Sequence, residues 1–176
     1  MIITAGKFKG RKIIAPDESI TRPTLSKVRQ GVFNSLFSLI GDFEGKTFLD
    51  MFAGSGIMGL EALSRSFSYV VAFEKNAKVI NVLKSNYKNL GQKLNLKIGD
   101  SLKLIISENN FDVIYVDPPY HSGIYDEILS VLYDVKYQGI VIVECTERIN
   151  IKKFRLIKEK RYGDKLIFFL QSESIA

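Results

Sequence analysis

Phe48-Leu49-Asp50-Met51-Phe52-Ala53-Gly54-Ser55-Gly56-Ile57-Met58-Gly59-Leu60-Glu61 is the stretch that decides the fold. An apolar run breaks into glycines and resumes with helical spacing, which predicts a buried strand, a tight turn and the start of a helix. Gly54, Gly56 and Gly59 have the GxGxxG spacing of a dinucleotide-binding turn. That spacing alone fits two cofactors, and Asp50 separates them. A carboxylate at the strand's end repels a pyrophosphate and attracts a ligand carrying ammonium or sulfonium charge. The turn therefore favours S-adenosylmethionine over NAD.

Downstream, strands and helices alternate. Tyr69–Phe73 predicts a strand ending on Glu74, and Val79, Val82, Leu83, Tyr87 and Leu90 predict one helix face, with Gly91 as its cap. Leu94, Leu96 and Ile98 alternate as a third strand that closes on Gly99-Asp100. Residues 111–116 form a fourth strand running into Asp117-Pro118-Pro119-Tyr120, and a helix near 126–133 and a strand at 139–144 follow. Apolar runs without polar alternation imply a parallel sheet covered on both faces. The tail, Phe154–Lys160 and Lys165–Leu170 around Tyr162-Gly163-Asp164, has no intervening helix and predicts an antiparallel hairpin.

Upstream, residues 1–14 read as two short strands with Gly6 and Gly10 at the turn between them. A helix follows, with Thr24 or Ser26 as its cap and Val28, Val32, Leu36, Leu39 and Ile40 on one face. Lys27 and Arg29 fall in its first turn, where the helix dipole disfavours cations, so they read as functional. The expected organisation is one domain: a basic extension over 1–40 and a cofactor-binding core over 46–176.

Composition agrees with an ordinary globular chain: 176 residues, 46% hydrophobic, 25% charged. No apolar run approaches the roughly 20 residues of a membrane helix, and the N-terminus lacks a signal-peptide pattern. One Cys and one His exclude an internal disulfide and any standard Cys/His zinc site. Cys145 reads as a small core residue and His121 as a loop residue rather than a base. A cytoplasmic monomer with no membrane contact and no metal is expected. The charge is uneven: residues 1–35 carry seven Lys/Arg against two acids, 146–165 eight against three, and 36–145 ten against thirteen. Basic ends around a mildly acidic middle suit an anionic macromolecule held by the ends and a different ligand between them. Lys7, Lys9 and Arg11, interleaved with Phe8 and glycines, could lie along a phosphate backbone.

Four consecutive strands end on Asp50, Glu74, Asp100 and Asp117, at the end of an open sheet where ligands bind. Glu74 stands 20 residues after Gly54, the place of a ribose-binding acid. Asp100 suits either an adenine amino group or the cap of the next helix. Phe52, Ala53, Gly54, Ser55 and Gly56 are the turn's cofactor contacts, with Gly54 and Gly56 permitting close backbone approach; Gly59 suits helix–sheet packing equally. Pro118 and Pro119 have no backbone donors, so with Asp117 they present acceptors alone, matched to the hydrogens of an amino group. Tyr120 adds a flat face on which a base can stack.

Asp50–Gly56, Glu61-Ala62-Leu63-Ser64-Arg65 and Asp117–Tyr120 resemble class I S-adenosylmethionine-dependent methyltransferases that modify amino groups. Gly6-Lys7-Phe8-Lys9-Gly10-Arg11, Thr21-Arg22-Pro23-Thr24, Val28-Arg29 and Phe33-Asn34 look like the bacterial family that methylates a guanine N2 in 16S ribosomal RNA. The resemblance spans nearly the whole chain, with two departures: Ser66 stands where the family usually has Gly, and Phe73 where Val is frequent. It implies a Rossmann-like α/β fold with a seven-stranded, mostly parallel sheet. It implies Asp50 near the methionine end of the cofactor, Glu74 on the ribose, Asp100 near adenine and Asp117–Tyr120 on the guanine. It places Arg22, Thr24 and Arg29 on an RNA-facing surface, with a small-subunit particle or assembly intermediate as partner.

Other readings are a DNA adenine N6-methyltransferase, a dehydrogenase and a non-catalytic RNA-binding assembly factor. The first shares the amino chemistry but leaves little room for a DNA-reading domain. The second fits the glycine spacing but not Asp50. The third has only the basic ends in its favour.

Overall fold

The computed structural model describes residues 1–17, 24–119, 123–151 and 153–173. Its centre is a seven-stranded sheet in the order β3-β2-β1-β4-β5-β7-β6. In chain order the elements are α1 (Ser26–Ile40), β1 (Thr47–Asp50), α2 (Ile57–Ser64), β2 (Tyr69–Glu74), α3 (Ala77–Asn89) and β3 (Asn95–Ile98). They continue as α4 (Ser101–Ser107), β4 (Val113–Val116), α5 (Tyr125–Asp134), β5 (Ile140–Cys145), β6 (Phe154–Tyr162) and β7 (Lys165–Ser172). β1 to β5 are parallel, and β7 runs antiparallel between β5 and β6. The hairpin is thus inserted so that β6, not β7, forms the edge. No helix among the described residues is long and apolar enough to cross a membrane.

Both faces of the sheet are covered, which is why its strands carry no polar alternation. On one face Phe48, Tyr115, Ile142 and Phe169 pack with Val32, Phe33 and Leu36 of α1, Leu60 of α2 and Leu83 and Tyr87 of α3. On the other, Leu49, Phe73, Ile114 and Val143 pack with Ile105 of α4 and Ile128 and Leu132 of α5. Cys145 is buried in that second core, 4% exposed. Ile3 and Ile13 belong to the first core, so the basic extension is packed onto the domain.

Local chemistry sets the helix ends. Asn76 caps α3 by accepting from the Lys78 and Val79 amides. After the C-cap Leu90, Gly91 takes φ 63°, and the Gly91 and Gln92 amides bond back to Lys88 and Tyr87, a Schellman closure. α1 differs from expectation: its N-cap is Leu25 and no side chain caps it, so neither Thr24 nor Ser26 plays that part. The expected N-terminal hairpin is reduced to one bridge between Ile2 and Lys12, with residues 5–10 in bends and turns. Ile98 is 62% exposed because β3 is the sheet's other edge and no helix covers that position. Ser66, after the end of α2, holds φ 80°, the left-handed conformation glycine adopts without a Cβ penalty. The family's glycine there has a backbone reason.

Candidate active site

Strand register brings the acids together. Asp50 of β1 pairs with Ala72 of β2 and Tyr115 of β4, and Tyr115 pairs with Ile142 of β5. Two residues further on each neighbouring strand stand Glu74, Asp117 and Glu144. With a side-chain period of 2 they point to the same face, the one covered by α1, α2 and α3. Asp50 is therefore the deepest of four carboxylates, about 7 Å below the level of the other three along the strands.

Asp50 is 2% exposed, and its carboxylate accepts from the Phe52 amide at 3.3 Å. Burial, with Glu74 and Glu144 nearby, pushes its pKa up to about 7. Burial is the main cause and the two like charges add to it; an opposite charge settling beside the carboxylate would lower the pKa again. Beside it Gly54, at φ 56°, has open space where a Cβ would point. The residues present fit an S-adenosylmethionine whose cationic end lies toward Asp50.

The three glycines differ in purpose. A Cβ on Gly56 would meet Leu83 Cδ1 at 2.4 Å, and one on Gly59 would meet Tyr87 Oη at 2.5 Å. Both are required by packing against α3, whereas at Gly54 the space a Cβ would take is open. Ser55 is buried and its Oγ accepts from the Ile57 amide at the start of α2. Ala53 is buried, its amide donating to the Phe73 carbonyl, while Phe52 is half-buried at the turn.

Glu74 staples the turn: Oε2 accepts from the Gly54 amide at 2.9 Å, and Oε1 from the Lys75 and Asn76 amides at 2.9 and 3.0 Å. Three backbone donors leave it about one acceptor position of a carboxylate's four, so a ribose would share Glu74 with the loop. Asp100 is exposed and caps α4, accepting from the Leu102 amide at 3.0 Å. Of its two sequence readings, the cap is the one seen.

Asp117 is half-buried at the end of β4, followed by a buried Pro118 and an exposed Pro119. Burial raises its pKa well above the carboxylate range; Glu144 and Asp50 add to this, and Lys165 and a hydrogen bond from Thr24 oppose it. Tyr120, His121 and Arg22 lie outside the described residues.

Glu144 is a site residue the sequence reading passed over as the last position of an apolar strand. It is 1% exposed, receives a hydrogen bond from Tyr115 Oη, and pairs with Lys165 Nζ at 3.1 Å. The signal was present: the fifth strand also closes on an acid.

The RNA-facing residues are largely relocated. Arg29 is 1% exposed, its Nε 3.1 Å from Glu61 Oε1 and its guanidinium donating to the Thr24 and Ile2 carbonyls. It is a buried structural cation and does not face solvent. Thr24 is 9% exposed and bonded to Asp117, so it belongs to the wall of the site. Lys7, Lys9 and Arg11 sit on a loop pinned to the C-terminal ends of α2 and α3: the Lys7 amide donates to the Ser64 carbonyl and Arg11 Nη2 to the Asn89 carbonyl. Those helices descend from the site to the starts of β2 and β3. The loop is thus at the opposite end of the sheet from Asp117.

A family profile described as conserved hypothetical protein 95 matches residues 1–171. The ribosomal RNA small subunit methyltransferase D of Haemophilus influenzae is 34% identical over 174 residues, covering 92% of this chain and 88% of the relative. Its Escherichia coli K12 counterpart of the same name is 35% identical over 140 residues, 75% of this chain and 66% of that one. Among solved structures, a putative methyltransferase of Escherichia coli superposes with a TM-score of 0.82 at 27% identity, covering 98% of both chains. A putative methylase of Haemophilus influenzae gives 0.73 at 30%, covering 97% of both. With the profile spanning almost its whole length and the glycine turn and Asp117-Pro118-Pro119 in place on the sheet, the chain belongs to the rRNA methyltransferase family.

Proposed function

We propose that the protein uses S-adenosylmethionine to methylate the exocyclic N2 amino group of a guanine in 16S ribosomal RNA, presented in a small-subunit particle or assembly intermediate. The observation that carries this reading is the end of β4, where the donor-free Pro118-Pro119 backbone follows the Asp117 carboxyl, one step above the buried Asp50. S-adenosylmethionine, when bound, supplies an electrophilic methyl on a sulfonium. Asp50 holds its cationic end, and Glu74 and Gly54 take the ribose side of the turn.

Asp117 in its ionised form and the Pro118 carbonyl accept the two hydrogens of the target amine. That orients its nitrogen lone pair toward the methyl and favours the pyramidal, nucleophilic form; the N–C bond would form as the methyl's bond to sulfur breaks, and the proton the amine loses would pass to Asp117, whose pKa is raised, or to water. Thr24 fixes Asp117 from the α1 side. Tyr120 stacks on the base, which must leave its helix to enter. Positioning of this kind can contribute about 7–11 kcal/mol relative to a bimolecular encounter. The names of the relatives support ribosomal RNA of the small subunit as substrate.

Radiolabelled methyl transfer to 16S rRNA, 30S particles and duplex DNA tests the substrate, and mass spectrometry of rRNA from a strain lacking the protein tests the product. The expected result is one missing N2-methylguanine and transfer to RNA alone. Asp117→Ala should retain S-adenosylhomocysteine binding and lose turnover by about 100-fold or more, the scale of a lost transition-state contact. Normal turnover in that variant would remove Asp117 from its role.

A further inference from the structure

With Lys7, Lys9 and Arg11 at the far end of the sheet, the cations on the site's side are those of α1 and of β6, the edge strand beyond β5 and β7. α1 runs from Thr24, bonded to Asp117, down to the loop before β1. Gly31 on this helix abuts Tyr162, the last residue of β6: a Cβ there would meet the Tyr162 hydroxyl at 1.8 Å. Lys27, exposed, lies four residues earlier on the same helix face, one turn nearer the site end. On β6, Lys158 and Lys160 pair with Phe169 and Ile167, which places them on the α1 face of the sheet; Arg161, paired with Leu166, points to the other. Lys160 and Arg161 are exposed and Lys158 half-exposed. Tyr162 pairs with Lys165, the partner of Glu144, so the strip is continuous with the acid cluster.

Among the described residues, none of Lys27, Lys158, Lys160 and Arg161 has an ion-pair partner. Glu159, the acid between them, is held by Arg148 at 2.7 Å. Cations on an open edge also discourage strand-to-strand pairing between molecules. That accounts for β6 but not for Lys27, which is on a helix one turn from the Tyr162 contact.

We propose that this rim, Lys27 with Lys158, Lys160 and Arg161, carries the RNA backbone flanking the base that enters the site. The inference rests on the RNA reading above. Four phosphate contacts to single-stranded RNA would contribute about 3 to the slope of log affinity against log salt. The Lys7–Arg11 loop could reach only RNA that wraps to the opposite end.

The test compares wild type, a quadruple Lys27→Gln/Lys158→Gln/Lys160→Gln/Arg161→Gln variant and a Lys7→Gln/Lys9→Gln/Arg11→Gln variant. Binding of a 16S rRNA fragment is titrated across potassium chloride concentrations, with methyl transfer measured alongside and S-adenosylhomocysteine binding as the fold control. The quadruple variant should lose about 2–3 of the salt slope and raise KM at least about tenfold, and the loop variant should lose less than half as much slope. A quadruple variant whose slope and KM match wild type, on RNA that wild type methylates, overturns the rim and leaves the RNA reading standing. A wild type that neither binds nor methylates rRNA overturns both.

Discussion

Asp50 shows what burying a single carboxylate costs. It is 2% exposed and its pKa is pushed up to about 7 from 3.8, chiefly by burial. The folded chain therefore holds a proton that the unfolded chain has released between those values. The stability tied to Asp50 is present below pH 4 and is lost as pH rises through 7, by about 4 kcal/mol in total. Asp50→Asn keeps the acceptor for the Phe52 amide and removes the buried charge. The variant should be more stable than wild type by about 2–4 kcal/mol at pH 8 and nearly equal to it at pH 4, with S-adenosylhomocysteine binding weakened at least about tenfold. Urea melts at the two pH values, with calorimetric titration of the ligand, check this; a stability difference that does not grow with pH would contradict it. The position of Asp50 was legible in the sequence because a strand followed by a glycine turn fixes where the strand's last residue faces. Glu144 was not read, although it obeys the same rule, because the site motif that follows Asp117 has no counterpart after it.

At the scale of elements, Glu61 clips three segments together. Fully buried in α2, it accepts from Arg29 of α1 at 3.1 Å, from the Thr4 amide at 2.9 Å and hydroxyl at 3.0 Å, and pairs with Arg65. Arg65 in turn donates to Thr4 at 2.8 Å and lies 4.5 Å over the Phe33 ring. Glu61→Ala leaves two cations without their counterion, one of them wholly buried, and should cost about 3–5 kcal/mol. A lowered urea midpoint at unchanged m would report it, and a loss under about 1 kcal/mol would show that water or another acid replaces Glu61. The apolar face of α1 could be read from its spacing, since that is local. Arg29 could not: its partner is 32 residues away, and an unpaired cation in a first helical turn reads as surface. The N-terminal hairpin fails for a related reason. Its two arms bond to each other only close to the bridge, through the Ile3 amide to the Arg11 carbonyl at 3.0 Å and the Ile13 amide to the Met1 carbonyl at 2.8 Å; beyond it Ser64 and Asn86 take over, with Asn86 accepting from the Ile14 amide at 2.8 Å and donating to its carbonyl at 2.8 Å.

Across the whole molecule, charge is layered from the middle of the sheet to its edge. Asp50 lies deepest among the central acids, with Glu74, Asp117 and Glu144 one step above it, and the cations of β6 flank them at the edge strand, Lys158 level with Asp50 and Lys160 with Glu144. A cationic ligand suits the acids in the middle and a polyanion the edge beside them. The alternation of strands and helices made the sheet readable, but which basic end lies beside the site depends on helix direction and on the hairpin's insertion, which no local pattern records. The layering also predicts linkage between ligand and protons. Half-protonated near pH 7, Asp50 must ionise fully when an ammonium or sulfonium settles against it, because the opposite charge lowers its pKa. Cofactor binding should therefore release about half a proton at pH 7, more at pH 6 and little at pH 8.5, and affinity should climb across that interval. Calorimetric titration with S-adenosylhomocysteine in buffers of different ionisation enthalpy reads the proton count directly. A count that stays at zero from pH 6 to 8 would place the ligand's cationic end away from Asp50. The same titration on Asp50→Asn separates the sources: the release should vanish there, whereas a release that persists would belong to Asp117, the other carboxyl held well above its ordinary range.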